Sequence, residues 1–512
     1  MLAKVLSSAV LGIDAYPVEV EVDITSGLPT FTTVGLPEAA VKESKERVKS
    51  AVNNSGYRFP ADRITVNLAP ADIKKEGSAF DLPIAIGILA AQGEISEEKL
   101  DDLIIMGELA LNGALRPIHG ALPIALEAGK RAKRGMIVPE TNAREAAMAG
   151  SGLEVYPVAN LIEAVTFLNN GFQIKPFTVS LEKLFEREHD YPVDFKDVKG
   201  QEHVKRALEV AAAGGHNIIM IGPPGSGKTM LAKRFPSILP SMTLAEALET
   251  TKIHSVAGKL AKNHALVATR PFRSPHHTVS DAALVGGGKY PRPGEVSLAH
   301  NGVLFLDELP EFKKNVLEVL RQPMEDGRVT IARAALSLTY PAKFLLAAAM
   351  NPCPCGYYGD PVHECSCMAP QIQKYMSRIS GPLMDRIDIH IEVPAVKYKE
   401  LASDQFGEDS ETIRERVQEA RLRQLRRFAS EPTLYCNAHM QSKEIRSYCR
   451  VNNDGEALLK NAITNLGLSA RAYDRILKVS RTIADLAQSE AIQPAHVAEA
   501  IQYRSLDRQL WL

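Results

Sequence analysis

Regular alternation of apolar and polar residues predicts β-strands in the first third of the chain. Residues 18–22 alternate valine with glutamate, and residues 64–68 alternate aliphatic residues with threonine and asparagine. A period of two places every second side chain on the same face, which is typical of a half-buried strand. Residues 81–91 form a largely apolar run of helical length, and residues 136–139 have the composition of another short strand. The first 170 residues therefore predict a mixed α+β domain.

The pattern changes twice along the rest of the chain. Residues 171–192 are mixed in character and densely charged between 181 and 188, as expected of a linker. Residues 195–394 alternate apolar strands with helices, which predicts a parallel sheet. After residue 396 helical periodicity dominates, and residues 411–428 predict a long amphipathic helix. We expect an amino-terminal domain (1–170), a linker (171–192), an α/β core (193–395) and a helical domain (396–512).

Length and composition are those of a multidomain globular protein. The chain has 512 residues, whereas single domains average about 100–200 residues. Its net charge is −1, so contact with nucleic acid requires a local basic patch or a ring of several copies. No apolar run approaches the roughly 18 residues that would cross a bilayer. Residues 1–11 resemble a short signal peptide, but the alternation that follows favours a β-hairpin, and we expect a cytoplasmic protein without a membrane segment.

A glycine-rich loop follows the apolar strand of residues 218–221 and precedes a predicted helix. It carries the complete phosphate-binding pattern in Gly222, Pro223, Pro224, Gly225, Ser226, Gly227, Lys228 and Thr229. Glycines allow backbone N–H groups to wrap around phosphates, and the dipole of the following helix adds to the attraction. We expect Lys228 to reach the β- and γ-phosphates of ATP and Thr229 to coordinate Mg²⁺. A chance glycine-rich turn rarely has every fixed position in this context.

Two later strands end in polar residues that complete a nucleotide site. Residues 303–306 form an apolar strand followed by Asp307 and Glu308, and residues 344–350 form another followed by Asn351. We expect Asp307 to hold Mg²⁺ through water and Glu308 to polarise the attacking water. Asn351 is placed to help orient that water, although an asparagine after a strand is usually a cap or turn residue. The sequence therefore predicts an Mg²⁺-dependent ATP hydrolase.

Four of the six cysteines lie within fifteen residues, as two C-x-C pairs formed by Cys353, Cys355, Cys365 and Cys367. Four thiolates can close a tetrahedral Zn²⁺ site that stabilises a loose loop. The C-x-C spacing is less usual than C-x-x-C, and reduced cysteines without a metal are the alternative. Because the cluster follows Asn351, a zinc ion there would set the geometry of the nucleotide site. Cys436 and Cys449 are expected to be isolated structural residues.

The nucleotide-binding motifs resemble those of the AAA+ superfamily. The whole chain is similar to the ComM/YifB family, whose core is related to magnesium chelatase subunit I. The stretches most specific to this family are residues 351–356 (NPCPCG) and 379–388 (ISGPLMDRID). The resemblance implies an α/β fold with an AAA+ core and a helical lid. It also implies helicase and branch-migration activity during integration of transforming DNA by homologous recombination.

The resemblance assigns roles to two arginines outside the glycine-rich loop. Arg386 corresponds to an arginine finger that reaches the ATP of a neighbouring subunit, and Arg471 corresponds to the lid arginine called sensor 2. A guanidinium group stabilises charge on the transferring phosphoryl group. Surface salt bridges are the alternative, and Arg378 is a rival for the finger. A finger supplied by a neighbour requires an oligomer, and the superfamily usually forms hexameric rings.

Two segments inside the core have the composition of substrate-gripping loops. Residues 270–292 combine a glycine run with Arg273, Lys289 and Arg292, whereas residues 328–340 predict a β-hairpin that carries Arg333. Related AAA+ motors insert loops at both places. In a ring, several copies of these cations would line one pore and contact DNA phosphates; an outer rim of solvated charges is the alternative. His276 and His277 are either a structural or a functional pair, and further ligands for a metal are lacking.

Residues 18–145 resemble the Lon protease domain, which has a fold of the ribosomal S5 domain 2 type and also occurs at the end of the recombination ATPase RadA. The resemblance lies in residues 75–82 (KEGSAFDL) and 107–118 (GELALNGALRPI). In this alignment Ala79 occupies the position of the nucleophilic serine and Leu122 that of the catalytic lysine. Ser78 is one position away, which turns its side chain elsewhere. We therefore expect a non-proteolytic module for binding or assembly.

Three functions are weighed for an ATPase of this kind. A hexameric motor that translocates DNA is favoured by the family resemblance and by the basic residues of the two insertions. A chelatase-type motor that drives metal insertion into a tetrapyrrole is the first alternative, although an integrin-like metal-binding domain is not apparent. A Lon-type protease is the second alternative, and Ala79 and Leu122 oppose it.

Overall fold

The computed structural model describes residues 1–37, 41, 43–73, 75, 77–150, 152–170, 173–180, 191–260, 266–288, 291–333, 336–396, 407–431, 434–466 and 469–506. The chain divides into two compact units. The first comprises Met1–Glu188 and Ala247–Ala268, and the second comprises His189–Glu246 and Thr269–Leu512. Among the described residues, no helix is long and apolar enough to cross a membrane.

A four-stranded sheet of order β1-β2-β4-β3 organises the first unit. Its strands are β1 (Leu2–Leu11), β2 (Asp14–Thr25), β3 (Thr30–Val34) and β4 (Arg63–Ala69). The first two pair along their whole length as an antiparallel hairpin, and Gly12 in the turn has a φ of +68°, which glycine adopts without strain. The valines of β2 are buried and its glutamates are more exposed. The predicted alternation in residues 18–22 and the predicted hairpin are thus confirmed.

The rest of the first unit packs around a buried helix. The remaining elements are α1 (Ser44–Asn54), α2 (Asp81–Ala91), β5 (Leu103–Ile105), β6 (Glu108–Leu109), β7 (Leu115–Arg116), α3 (Ala121–Lys130), β8 (Gly135–Pro139), α4 (Ala143–Ala146), β9 (Glu154–Val158) and α5 (Leu161–Leu168). Every residue of α2 is buried, and a Cβ on Gly87 would lie 2.6 Å from Val22 Cγ2. Strands β5, β8 and β9 form a parallel sheet. The helix predicted over residues 81–91 and the strands predicted at 64–68 and 136–139 are confirmed.

The segment Ala247–Ala268 belongs to the first unit although it falls within the stretch expected to form the ATPase core. Lys252 lies 3.3 Å from a carboxylate oxygen of Asp14, and the hydroxyl of Ser255 donates to the carboxylate of Glu145. These contacts join the segment to the hairpin and to α4 of the same unit.

A five-stranded parallel sheet forms the core of the second unit, in the order β11-β14-β17-β10-β18. Its strands are β10 (Ile218–Ile221), β11 (Phe272–Arg273), β14 (Val303–Leu306), β17 (Leu345–Met350) and β18 (Ile389–Glu392). The three central strands are buried throughout, as parallel strands covered on both faces should be. Of these five strands β10 comes first in the chain, yet it lies between β17 and β18, which come fourth and fifth. Such a switch in strand order leaves a ligand-binding crevice at the carboxyl ends of the strands.

Helix α8 (Leu244–Val256) begins in the second unit, and its residues from Ala247 onward belong to the first. The remaining helices and hairpins belong to the second unit: α6 (Glu202–Gly214), α7 (Lys228–Arg234), α9 (Asp281–Val285), β12 (Gly286–Gly287), β13 (Arg292–Pro293), α10 (Glu295–Leu298), α11 (Lys314–Glu318), α12 (Arg321–Asp326), β15 (Arg328–Arg333), β16 (Leu336–Pro341), α13 (Ala369–Met376), α14 (Gly381–Met384), α15 (Ser410–Arg427), α16 (Ser442–Tyr448), α17 (Asn453–Leu466), α18 (Ala470–Leu486) and α19 (Pro494–Gln502). Pairing of β15 with β16 confirms the predicted hairpin, and α15 confirms the predicted long helix. Residues 181–190 of the predicted linker lie outside the described residues.

Candidate active site

The glycine-rich loop joins β10 to α7 at the carboxyl edge of the parallel sheet. A Cβ on Gly222 would lie 2.0 Å from the carbonyl oxygen of Val393, so this position has no room for a side chain. Gly225 and Gly227 have φ values of +77° and +90°, which other residues adopt only with strain. The loop therefore depends on the glycines that the phosphate-binding pattern specifies.

Lys228 is buried at the base of this loop. Its ammonium group donates to the carbonyl oxygens of Gly222 and Pro223, both at 2.8 Å, and lies 3.3 Å from Asn351 Oδ1. Burial lowers the pKa of Lys228 to about 8, and the charge of Asp307 opposes the shift. The structure thus brings Lys228 and Asn351 together, although they are far apart in the sequence.

Thr229 and Asp307 meet at the carboxyl edge of the sheet, although β17 lies between the strands that precede them. The Thr229 hydroxyl donates to Asp307 Oδ2 at 2.6 Å. A hydroxyl and a carboxylate supply the hard oxygen atoms that Mg²⁺ prefers, and the ion commonly uses one or two such protein groups besides phosphates and water. The residues present therefore fit the expected magnesium ion.

Glu308 has a different environment from its neighbour Asp307. Its backbone has a φ of +52°, an uncommon conformation for a residue with a side chain. The side chain is 59% exposed, and Oε2 lies 3.3 Å from His277 Nδ1. Consecutive carboxylates are thereby separated: Asp307 contacts Thr229, whereas Glu308 contacts an imidazole.

The candidate finger arginines are both bound within the subunit. Arg386 pairs with Glu325, donates to the carbonyl oxygen of Pro382 at 2.6 Å and is only 11% exposed. Arg378 donates to Glu311 at 2.8 Å and is 48% exposed.

Arg471, the candidate lid arginine, lies at the start of α18, 3.5 Å from Asp385, and is 66% exposed. Arg475 of the same helix belongs to a buried network that the sequence analysis did not identify. Asp388 pairs with Arg475, lies 3.3 Å from His216 Nδ1 and accepts the backbone N–H of Asn217 at 3.2 Å. Burial raises the pKa of Asp388, but the charges of Arg475 and His216 outweigh it and hold the pKa well below its usual range. A signal was present, since Asp388 is a charged residue between two isoleucines.

The four clustered cysteines converge, with all four sulfur atoms within 4.8 Å of one another. Cys353 Sγ lies 3.3 Å from Cys355 Sγ and 3.7 Å from Cys365 Sγ. Tetrahedral zinc with Zn–S bonds of about 2.3 Å separates its sulfur ligands by about 3.8 Å. The backbone N–H of Tyr357 lowers the pKa of Cys355 to about 5, which favours its thiolate. Although a backbone N–H opposes the shift in each case, burial and the neighbouring thiol groups raise the pKa values of Cys365 and Cys367. The donor set therefore fits zinc.

Sequence models of magnesium chelatase match three parts of the chain. The model described as magnesium chelatase, subunit ChlI, matches residues 194–401. Subunit ChlI of Mg-chelatase matches residues 20–142, and the ChlI C-terminal model matches residues 407–504.

Similarity to curated proteins extends over the full length. Competence protein ComM of Haemophilus influenzae is 47% identical over 99% of this chain and 98% of its own length. The YifB protein of Escherichia coli is 45% identical with the same coverage. The chain belongs to the ComM/YifB family. A magnesium-chelatase 38 kDa subunit of Cereibacter sphaeroides is more distant, with 26% identity over 31% of this chain and 53% of its own length.

Membership of the ComM/YifB family confirms the predicted AAA+ α/β fold class and the family resemblance. Because this family is magnesium-chelatase-like, it implies ATPase activity that uses ATP and Mg²⁺. The individual site residues stay predictions that rest on the geometry described above.

The basic residues expected to contact DNA differ in exposure and in their ion pairs. Arg273 forms a bidentate ion pair with Glu295, at 2.6 and 2.8 Å, and is one-third exposed. Arg292 is exposed on β13. Lys289 lies outside the described residues, and Arg333 is described only as the last residue of β15, where it pairs with Leu336. The hairpin shows a further exposed cation, Arg328, at its first position.

The amino-terminal unit has no described serine–lysine pair at the positions expected of a Lon-type protease. Leu122 is fully buried, and its backbone N–H donates to Glu145 at 2.9 Å. The Ser78 hydroxyl donates to the carboxylate of Glu108. Lys75 is buried and donates to the carbonyl oxygens of Pro70 and Ile73. The described contacts therefore do not bring together a nucleophile and a base of the kind that a Lon-type protease requires.

One expectation about cysteines is wrong. Cys436 is buried but not isolated, because its sulfur lies 3.3 Å from His439 Nδ1. Cys449 is buried, and burial raises the pKa of its thiol to about 12, as expected of a structural cysteine. The sequence could have indicated this contact, because Cys436 and His439 are only three residues apart.

Proposed function

We propose that this chain is an ATP-driven DNA motor that works as a hexameric ring. Its role would be helicase and branch-migration activity during integration of transforming DNA by homologous recombination. The observation that carries the proposal is the full-length similarity to a protein named for competence, at 47% identity. An assembled nucleotide site supports the motor part, since Thr229 contacts Asp307 and Lys228 contacts Asn351.

The proposed hydrolysis divides the work among five residues. Lys228 binds the β- and γ-phosphates, while Thr229 and Asp307 hold the magnesium ion. That ion, when bound, neutralises charge on the phosphates. Glu308 orients a water molecule for attack on the γ-phosphorus, and Asn351 assists from the neighbouring strand. The bond from the γ-phosphorus to the bridging oxygen breaks, its electron pair remains on ADP, and the proton of water passes to the released phosphate.

Arginine residues would stabilise the charge that develops on the γ-phosphoryl group. We assign Arg386 as the finger supplied by a neighbouring subunit and Arg471 as the lid arginine. Guanidinium groups suit this task because they stay charged and donate in a fixed planar geometry. In support of the assignment, Arg471 lies 3.5 Å from Asp385, the residue before Arg386.

DNA would be held by cations of the two insertions. One face of the β15–β16 hairpin is buried through Val329, Ile331 and Tyr340, whereas Arg328 and Thr330 are exposed on the other. An exposed face with a cation suits contact with a phosphate backbone. Because the whole chain has a net charge of −1, repetition of such residues around a ring would supply the required positive field. We further propose one structural Zn²⁺ in the cysteine cluster.

ATPase rates with and without DNA test this proposal. We expect both single-stranded and branched DNA to stimulate the wild-type protein severalfold under conditions that favour ring assembly. Protein carrying Lys228→Ala, measured in parallel, shows how much of the rate comes from contaminating ATPases. Absence of stimulation by any DNA in an assembled ring would contradict the DNA motor.

A chelatase-type motor is the second candidate. Its support is that all three matching sequence models are described by magnesium chelatase subunit ChlI. Such a motor would act on a partner protein rather than on DNA. ATPase activity that is unaffected by DNA in an assembled ring would favour it.

A further inference from the structure

A thiol and an imidazole lie at the two ends of one tight turn between α15 and α16. Residues Asn437–His439 form a single 3₁₀ turn, and the N–H of His439 donates to the carbonyl oxygen of Cys436 at 3.1 Å. Side chains three positions apart eclipse in such a turn, so Cys436 Sγ lies 3.3 Å from His439 Nδ1. Neither residue belongs to the nucleotide site or to the four-cysteine cluster.

The turn is fixed by the two helices that pack against it. Asn437, the residue after the thiol, is fully buried. Its side-chain amide donates to Thr482 Oγ1 at 3.0 Å and to Asp485 Oδ2 at 2.9 Å, both on α18. Its backbone N–H donates to Gln424 Oε1 on α15 at 3.0 Å. The contact between sulfur and imidazole is therefore set by the packing of three segments.

Cations around the sulfur favour its ionised form. Burial raises the pKa of the Cys436 thiol, but the charge and hydrogen bond of His439 and the charge of Arg421 outweigh it and lower the pKa to about 6. The charge on Cys436 in turn raises the pKa of His439. Arg421 donates to the carbonyl oxygen of Ala213 at 3.1 Å, and a Cβ on Gly215 would lie 2.8 Å from Cys436 Sγ and 3.8 Å from Arg421 Nη2. Near neutral pH the sulfur is therefore a thiolate, which is the nucleophilic form of cysteine.

A cavity of about 90 Å³ meets this pair at the amino edge of the parallel sheet. Gly302 and Leu345, at the starts of β14 and β17, line it, so it lies at the edge opposite the nucleotide site. About 10–15 Å³ of such volume holds one water molecule, so a molecule of two or three heavy atoms fits. Cys436 is buried whereas His439 is exposed, so the imidazole connects the sulfur with solvent. The charge of His216 also acts on the thiol. The ionisable side chains that line the cavity are those of Glu246, Arg270, Lys343, Arg421, Tyr435 and His439.

We propose that Cys436 is a modification site at which small hydroperoxides are reduced and the sulfur is oxidised to a sulfenic acid. The thiolate attacks the terminal oxygen of the hydroperoxide, so that an S–O bond forms and the O–O bond breaks. The electron pair of the O–O bond leaves with the other oxygen, which takes the proton of the His439 imidazolium and departs as water or an alcohol. The sulfur is oxidised by two electrons, and the peroxide is reduced by the same two. This inference does not rest on the proposed DNA motor, because the cavity lies apart from the nucleotide site.

Alkylation of the native full-length protein by iodoacetamide, followed for each cysteine peptide by mass spectrometry across a range of pH, tests the thiolate. We expect half-maximal alkylation of Cys436 near pH 6, while Cys449, whose thiol is buried and has a raised pKa, stays unmodified. His439→Gln removes the imidazolium and should move the midpoint upward by at least about one pH unit, towards the ordinary cysteine value of about 8.5. His203→Gln is the matched control, because His203 contacts the carbonyl oxygen of Glu392 and should leave the profile unchanged.

Hydrogen peroxide together with dimedone, which traps sulfenic acids, tests the oxidation without ATP or DNA. Near neutral pH we expect a dimedone adduct on Cys436 of the wild-type protein, severalfold less of it in His439→Gln, and none on Cys449. Labelling of Cys436 only in step with Cys449 would show that unfolding alone exposes the sulfur and would overturn the site. A wild-type alkylation midpoint near the ordinary cysteine value would overturn the ion pair, even if His439→Gln does not fold. Alkylation near pH 6 without a peroxide-dependent adduct would overturn the oxidation step.

Discussion

At the scale of single residues, adjacent carboxylates show how position in a fold separates chemical roles. Asp307 ends a buried strand and contacts the hydroxyl of Thr229. Glu308 follows with a left-handed backbone that sends its carboxylate to His277 instead. The two side chains therefore have different partners, which is consistent with the separate roles proposed for them in holding metal and in orienting water.

Glu308→Gln should bind ATP almost normally and hydrolyse it about 10²–10³-fold more slowly, because a neutral amide orients and polarises the attacking water less well than a carboxylate. Glu311→Gln is the matched control, since Glu311 is a nearby carboxylate that pairs with Arg378. Binding of a fluorescent ATP analogue and single-turnover hydrolysis would be measured for both. Near-normal turnover by Glu308→Gln would remove Glu308 from the mechanism.

Asp388→Asn should lower the free energy of unfolding of the second unit by about 3 kcal/mol, because it leaves the guanidinium of Arg475 without its buried counter-charge. Asp385→Asn is the control, since Asp385 pairs with the largely exposed Arg471 and should cost at most about 1 kcal/mol. Urea unfolding measures both. The pKa of Asp388 is lowered on folding, so its stabilisation is present above the unfolded value of about 4 and declines below it. The difference between wild type and Asp388→Asn should therefore shrink in acid.

At the scale of elements, the parallel sheet explains how distant motifs meet. The loop after β10, the carboxylates after β14 and Asn351 after β17 all lie at the carboxyl edge, because neighbouring strands are parallel. The cysteine cluster follows Asn351, and its Gly356 packs against the glycine-rich loop: a Cβ there would lie 2.5 Å from Pro224 Cδ. We therefore expect a change in the cysteine-containing loop to alter the glycine-rich loop as well.

Elemental analysis of purified protein should find one zinc per subunit. Cys355→Ser and Cys367→Ser should lose the metal and also bind ATP more weakly, since the loop packs on Pro224. Cys449→Ser is the control, because Cys449 is buried away from the cluster. A metal-free wild-type preparation that is fully folded and hydrolyses ATP normally would rule out the structural site.

Arg292→Ala and Arg328→Ala should weaken DNA binding by assembled rings. They should also reduce its salt dependence, because a variant that contacts fewer phosphates releases fewer counterions when it binds. The loss should be similar for different sequences, since backbone contacts carry no sequence information. We expect the same effects from Lys289→Ala and Arg333→Ala, the two other basic residues of the insertions. Arg131→Ala is a control from the first unit, where Arg131 pairs with Glu127. Salt titrations in which all four variants match the wild type would show that these cations lie on an outer rim.

How much was predictable depended on the range of the interaction. Strand alternation, the glycine-rich loop and the β15–β16 hairpin are local patterns, and each was predicted from neighbouring residues. The cysteine pairs also lie within fifteen residues, so their convergence had a local signal. By contrast, Asp388 and Arg475 are 87 positions apart, and the His277–Glu308 contact depends on two strands being neighbours. Periodicity within a segment carries no information about which segments pack together.

At the scale of the whole molecule, the proposed ring would give a subunit of net charge −1 a local positive field for DNA and a finger arginine from its neighbour. Arg386 is bound to Glu325 within the subunit, and Arg378 is bound to Glu311. Either must exchange its partner for the ATP of a neighbour if it serves as the finger. Activity in mixed assemblies therefore distinguishes them.

Arg386→Ala should abolish hydrolysis while leaving ATP affinity nearly unchanged, because its own site keeps Lys228 and Thr229. Lys228→Ala should also be inactive, but its subunits still offer Arg386 to a neighbour. In an equal mixture about a quarter of the head-to-tail interfaces should combine an intact loop with an intact finger and recover activity. Mixing Arg386→Ala with the double variant Lys228→Ala/Arg386→Ala supplies no finger and should recover nothing. The same series with Arg378→Ala tests the rival. Recovery for Arg378→Ala and none for Arg386→Ala, with subunit exchange verified, would transfer the role to Arg378, because only the residue that acts across the interface can be complemented by a neighbour.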